Sequence, residues 1–216
     1  FPQPSSFGSM SSLLKDEKSF PDDDNIEEFR SIMVAGNRLE TIAAKYGATI
    51  TYKPVDVIAL FSRTGGLPPG ERHPSRQAYR AQELRRQSKK TKLPLKLQPQ
   101  YFPTNAAPSS YAVIAAQNDG SGDLGALVRA LLASCWTEDK DIAADSVIKN
   151  CLISTGYDPN LADSGLLAGA ETYAKNLEDA VNNDVFGAPF YVVDGYEKFW
   201  GQDRLSDLDA FLAGQL

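Results

Sequence analysis

Phe190-Tyr191-Val192-Val193-Asp194-Gly195-Tyr196-Glu197-Lys198-Phe199-Trp200 reads as a β-hairpin. Two short runs of aromatic and β-branched residues flank Asp194-Gly195, a dipeptide suited to the positive φ angles of a type I′ turn. Downstream, Gly201-Gln202-Asp203-Arg204 opens a helix whose apolar stripe is Leu205, Leu208, Phe211 and Leu212, with Asp203 or Ser206 as its cap. Upstream, Val185-Phe186-Gly187-Ala188-Pro189 leads a proline directly into the first strand.

Working back toward the start, Leu39, Ile42, Ala43 and Tyr46 recur at helical spacing and Gly47 stops the run. Residues 48–55, with Thr49-Ile50-Thr51-Tyr52 ahead of Pro54, read as β-rich. Thr64-Gly65-Gly66-Leu67-Pro68-Pro69-Gly70 has loop composition, and residues 76–90 read as a basic helix. Pro94, Pro99, Pro103 and Pro108 then impose an irregular connection. Helices are predicted over residues 111–117, 124–135, 141–152 and 168–181, with Gly156-Tyr157-Asp158-Pro159 as a break. The expected fold is α/β, a thioredoxin-like domain with an inserted all-helical lobe. The domain reading is residues 1–28 as a tag remnant and acidic N-terminal segment, 29–66 with 183–216 as the thioredoxin-like domain, and 67–182 as the helical insertion. Gly8-Ser9-Met10 reads as a cloning junction ahead of a native start.

Composition narrows the function classes. The chain is 42% hydrophobic and 23% charged, which fits a folded globular protein. A net charge of -6 argues against nucleic acid as the main partner. The exception is a basic stretch, Arg76, Arg80, Arg85, Arg86, Lys89, Lys90, Lys92 and Lys96, which reads as a solvated helix face or as an attractor for an anionic surface. Cys135 and Cys151 form no C-x-x-C pair and read as core thiols of a reducing compartment. His73 is the only histidine, so neither a metal site nor a Ser-His-Asp triad is signalled, and it reads as loop decoration. No apolar run reaches the roughly 18 residues that span a bilayer, so the expectation is a cytoplasmic protein without a membrane partner.

Two motifs carry a resemblance. Gly187-Ala188-Pro189 immediately before the hairpin, and Trp200-Gly201-Gln202-Asp203-Arg204-Leu205 after it, resemble the corresponding segments of 2-hydroxychromene-2-carboxylate isomerases and kappa-class glutathione transferases. Softer likeness runs from about residue 35 to 214. The resemblance implies glutathione as cofactor, a small aromatic carboxylate as substrate and a homodimer. It implies a cis Ala188-Pro189 bond, with Ala188 and Pro189 presenting main chain to the cysteinyl unit, and Trp200, Gly201, Gln202 and Asp203 around the γ-glutamyl end. Asp203 would take the ammonium, and Arg204 would orient Asp203. Phe61, Arg72, Tyr101 and Asn105 fall where these families contact the substrate.

The implied chemistry is thiolate attack on an unsaturated ketoacid, which permits bond rotation or ring reopening before the thiol leaves. One part of the pattern is missing. These families carry an apolar strand and Ser-Pro-aromatic before the first helix, whereas this chain has Asp22-Asp23-Asp24 and Glu27-Glu28 there. Ser31 is the nearest hydroxyl, two residues out of register, and is the candidate catalytic group. The rival reading is a catalytically silent, glutathione-binding thioredoxin-like module. A disulfide oxidoreductase is disfavoured by the absent C-x-x-C.

Overall fold

The computed structural model describes residues 36–92 and 95–216. Helix α1 (Arg38–Tyr46) ends at Gly47, whose φ of 66° is the left-handed conformation that a side chain disfavours. Residues 48–55 follow in extended form, and α2 (Val57–Thr64) comes next, a helix that the sequence reading left unassigned. Asp56 caps it by accepting from the N–H groups of Ile58 and Ala59, and Gly65 closes it in the left-handed region. The basic helix is α3 (Pro74–Thr91). His73 proves to be its cap, accepting from Ser75 N–H at 3.3 Å, rather than loop decoration.

The lobe continues with α4 (Ala107–Asp119), α5 (Leu124–Trp136), α6 (Asp145–Ser154), a single turn α7 (Leu161–Ser164) and α8 (Leu166–Asn182). Its core is Val113, Ala116, Leu127, Leu131, Ile148 and Leu152, contributed by three helices whose apolar stripes face one another. Gly169 of α8 lets that helix lie against α4, because a Cβ there would sit 2.7 Å from the Tyr111 Cβ and 2.9 Å from its Cα. Cys135 and Cys151 are buried and form no disulfide, as the sequence suggested.

Strands β1 (Phe190–Val193) and β2 (Glu197–Trp200) form the hairpin, with Phe190 opposite Trp200 and Val193 opposite Glu197. Asp194 and Gly195 take φ of 50° and 81°, as a type I′ turn requires. A single 3₁₀ turn (Gln202–Arg204) leads to α9 (Leu205–Leu212). A separate cluster joins this end of the chain to α1: Phe199, Leu205 and Leu208 pack with Leu39, Ile42 and Phe211. Lys45 of α1 pairs with Asp209 of α9 at 2.9 Å.

The β-rich run at 48–55 stays extended yet joins no ladder among the described residues. A side chain takes the place of a neighbouring strand. Tyr52 N–H donates to Gln117 Oε1 at 2.7 Å, and Gln117 Nε2 donates back to Tyr52 O at 3.1 Å. Asn176 of α8 donates to Pro54 O at 2.9 Å. The lobe thus satisfies the main-chain groups of one edge of this segment with amide side chains.

Candidate functional site

The two recognition motifs meet in space. Asp184, at φ 54°, turns the chain out of α8 and delivers residues 185–189 to the start of β1. The Ala188-Pro189 bond is cis, as the resemblance implied. Gly201 N–H donates to Pro189 O at 2.9 Å, so the turn before the hairpin and the turn after it are tied to each other. Gly201 holds φ 96° and ψ 154°, a conformation open essentially to glycine alone. From α1, Arg38 reaches the Gln202 carbonyl at 3.5 Å.

Around this junction stands an open aromatic wall. Phe186 meets Phe190 and Trp200 edge-on, with centroids 5.2 and 5.0 Å apart. Phe186 is 43% and Trp200 53% exposed, so their free faces border the site. Phe186 and Arg38 escaped the sequence reading. Phe186 lies inside the motif and could have been assigned from it, whereas nothing in the sequence brings Arg38 to a turn 164 residues away.

Asp203 is exposed in the 3₁₀ turn, and the Gln202 and Asp203 N–H groups have no hydrogen-bond partner among the described residues. An anion or the carboxylate of a small peptide finds donors here, and an ammonium finds the Asp203 carboxylate. Two expectations are corrected. Arg204 turns to Asp207 at 3.2 Å instead of orienting Asp203, because that residue lies one helical turn ahead on the same face. Neither Asp203 nor Ser206 caps α9 through its side chain; Arg204 occupies the cap position, and the Ser206 hydroxyl donates to Asp203 O at 3.4 Å.

Behind Ala188 and Pro189 lies a cavity of about 990 Å³, which runs between β1 and residues 48–55. The Tyr191 hydroxyl is buried without a hydrogen-bond partner among the described residues, and burial raises its pKa. Tyr52, also on the cavity wall, donates to Glu40 at 3.1 Å, and Glu40 in turn pairs with Arg129.

Of the residues expected to contact substrate, Phe61 and Arg72 lie together. Phe61 is 2% exposed, with the Arg72 guanidinium 5.4 Å over its ring and Gly66 pressed against it. Tyr101 is exposed and Asn105 accepts from Ala107 N–H at 3.0 Å. These two flank Phe102-Pro103, a second cis bond, beside the Phe102–Trp136 ring pair. Ser31 lies outside the described residues. Among the described residues no group of acidic, histidine or cysteine side chains is placed to hold a metal, and no helix is long and apolar enough to cross a membrane.

Comparison with known proteins gives this arrangement a context. A protein of Sphingobium xenophagum named 2-hydroxychromene-2-carboxylate isomerase is 28% identical over 179 residues, covering 81% of this chain and 88% of its own. A Pseudomonas putida protein of the same name is 27% identical over 182 residues, covering 82% and 86%. A solved structure of selenomethionine-substituted 2-hydroxychromene-2-carboxylate isomerase superimposes with a TM-score of 0.69 at 24% identity, over 88% of this chain and 92% of that one, which shows a shared fold. The DSBA-like thioredoxin domain family matches residues 33–213. With its mostly helical body and its hairpin-and-helix end, the chain belongs to the DSBA-like thioredoxin domain family.

Proposed function

We propose that the chain is a glutathione-dependent isomerase acting on an aromatic carboxylate of the 2-hydroxychromene-2-carboxylate type. The observation that carries this reading is the likeness to relatives of one name over four-fifths of the chain. The junction at Gly201 and Pro189 supports it, because it offers what a zwitterionic tripeptide needs. Asp203 binds the ammonium, the Gln202 and Asp203 N–H groups take a carboxylate, and Arg38 stands beside them with a positive charge. Bound glutathione supplies a thiol nucleophile. The protein's part is to hold that tripeptide against β1 and to shield the reacting end from water with Phe186 and Trp200. The proposal includes a cytoplasmic homodimer, tested by light scattering of the purified protein.

Calorimetry with glutathione is the direct test. Asp203→Ala should weaken binding about tenfold or more, and an unchanged affinity would overturn the assignment of this turn. Isomerisation of 2-hydroxychromene-2-carboxylate, followed by absorbance, should require added glutathione. Binding without turnover would leave the silent module as the correct reading.

A further inference from the structure

Charge is unevenly spread along the chain. There are 22 lysines and arginines against 28 acidic residues, yet residues 74–92 hold seven of the former and only Glu83 of the latter. That stretch is therefore six charges positive, and the rest of the chain twelve negative. Helix α3 carries nearly all of the positive excess, and among its described side chains only Leu84 is buried. Like charges gathered on one helix oppose its formation, so the clustering works against stability.

The exposed side chains of α3 are ordered. Arg76, Tyr79, Glu83, Arg86 and Lys90 recur at steps of three, four, three and four residues, which places them on one stripe about 21 Å long. A stripe of that spacing keeps facing a single neighbouring helix along its whole length. Arg76, Tyr79, Arg86 and Lys90 are exposed, Tyr79 to 61%. Glu83 is occupied within the helix, where it accepts from Arg86 at 3.1 Å and from Gln87 at 2.8 Å, and the Arg86 guanidinium lies 5.8 Å over the Tyr79 ring. Lys89 borders the stripe, and Arg76, Lys89, Lys90 and Lys92 make no ion pair with any described residue. Lys96 leaves the group, because it pairs with Asp139.

We propose that this stripe docks an acidic helix of a partner polypeptide, whose carboxylates follow the same spacing and meet Arg76, Arg86 and Lys90, with an apolar side chain against Tyr79. The unmatched positive charge sets the sign of the partner, and the acidic remainder of the chain sets its size. A bilayer or a long nucleic acid extends past α3 and meets the negative excess, whereas a single helix laid along the stripe does not. Charges more than about 8 Å away are screened at physiological ionic strength, so such a helix experiences α3 almost alone. A bilayer further requires a row of apolar side chains to bury, and on this stripe Tyr79 stands between charged residues.

The test uses the full chain and a fluorescently labelled, alanine-rich helical peptide of 18 residues, the length of α3, with glutamates at the spacing of the stripe around one central leucine. A control peptide has the same composition with its glutamates scattered round the helix. Anisotropy at low salt should show saturable binding, about tenfold or more tighter for the patterned peptide, and weakening as salt rises. Arg76→Gln combined with Arg86→Gln and Lys90→Gln should weaken that peptide about tenfold or more while the circular dichroism spectrum stays the same. Lys140→Gln, which removes a positive charge elsewhere on the surface, should leave binding unchanged. The proposal fails if the scattered peptide binds equally well, if the triple variant keeps its affinity, or if neither peptide binds. Tighter binding to phosphatidylserine vesicles or to duplex DNA than to the peptide also overturns it. So does resistance of Lys89 and Lys90 to reductive methylation in the free protein, since the chain itself would then already cover this face.

Discussion

Tyr191 is a hydroxyl held in the interior with nothing to bond among the described residues. An unmade hydrogen bond of that kind costs about 1–3 kcal/mol. Tyr191→Phe should therefore raise unfolding stability by about 1 kcal/mol, read from urea denaturation. A loss of that size would reveal a partner for the hydroxyl. Gly201 behaves in the opposite way. Nothing crowds its Cα, yet its backbone sits where side chains are strained, so Gly201→Ala should cost about 1–3 kcal/mol and loosen the turn that carries Asp203. At this scale the sequence was informative wherever a residue's own backbone needs decide its role. Asp194, Gly195, Gly47 and the Gly187-Ala188-Pro189 turn were all legible. Arg38 was not, because its contact depends on a fold that returns to it only at residue 202.

Among the elements, the hairpin and the long helices were read correctly, since aromatic strands around Asp-Gly and apolar stripes are local signals. Helix α2 was missed, although Asp56 and Gly65 bracket it as cap and stop. The run at 48–55 was expected as a strand. Strand character needs a neighbour, and among the described residues the lobe supplies an amide side chain instead. Gln117→Ala should accordingly cost about 2 kcal/mol and speed hydrogen exchange at Tyr52, with little effect on exchange in the hairpin. Where α8 crosses α4, Gly169→Ala drives a methyl into Tyr111 and should cost about 1–3 kcal/mol, measured by the same denaturation. An unaltered midpoint would mean that the two helices can part without strain.

The whole molecule responds to pH through groups spread over both of its parts. Tyr52, Tyr173 and Tyr191 all titrate above their ordinary range, in each case chiefly because burial penalises the phenolate. Nearby Glu40 adds to the shift of Tyr52, and Asp56 to that of Tyr173. A phenol whose folded pKa is raised contributes stability that is intact below its unfolded value and is lost as pH climbs past it. The urea midpoint should hold steady from neutrality to about pH 10 and then fall, and Tyr173→Phe should make that fall shallower. On the acid side, Lys96, Lys53 and Lys45 hold Asp139, Asp179 and Asp209 below the usual carboxylate range. Those contributions fade as pH drops below about 4, and they are small because the pairs are solvated.

Helix α1 rests on α9 and the hairpin, through Leu39, Ile42 and the Lys45–Asp209 pair, across a gap of 164 residues. A ribosome makes that helix well before its resting place. Throughout synthesis of the intervening lobe, the apolar side of α1 has no cover of its own, and this interval is when the nascent chain is most exposed to aggregation and to chaperone capture. A stop anywhere before residue 205 would make that exposure permanent.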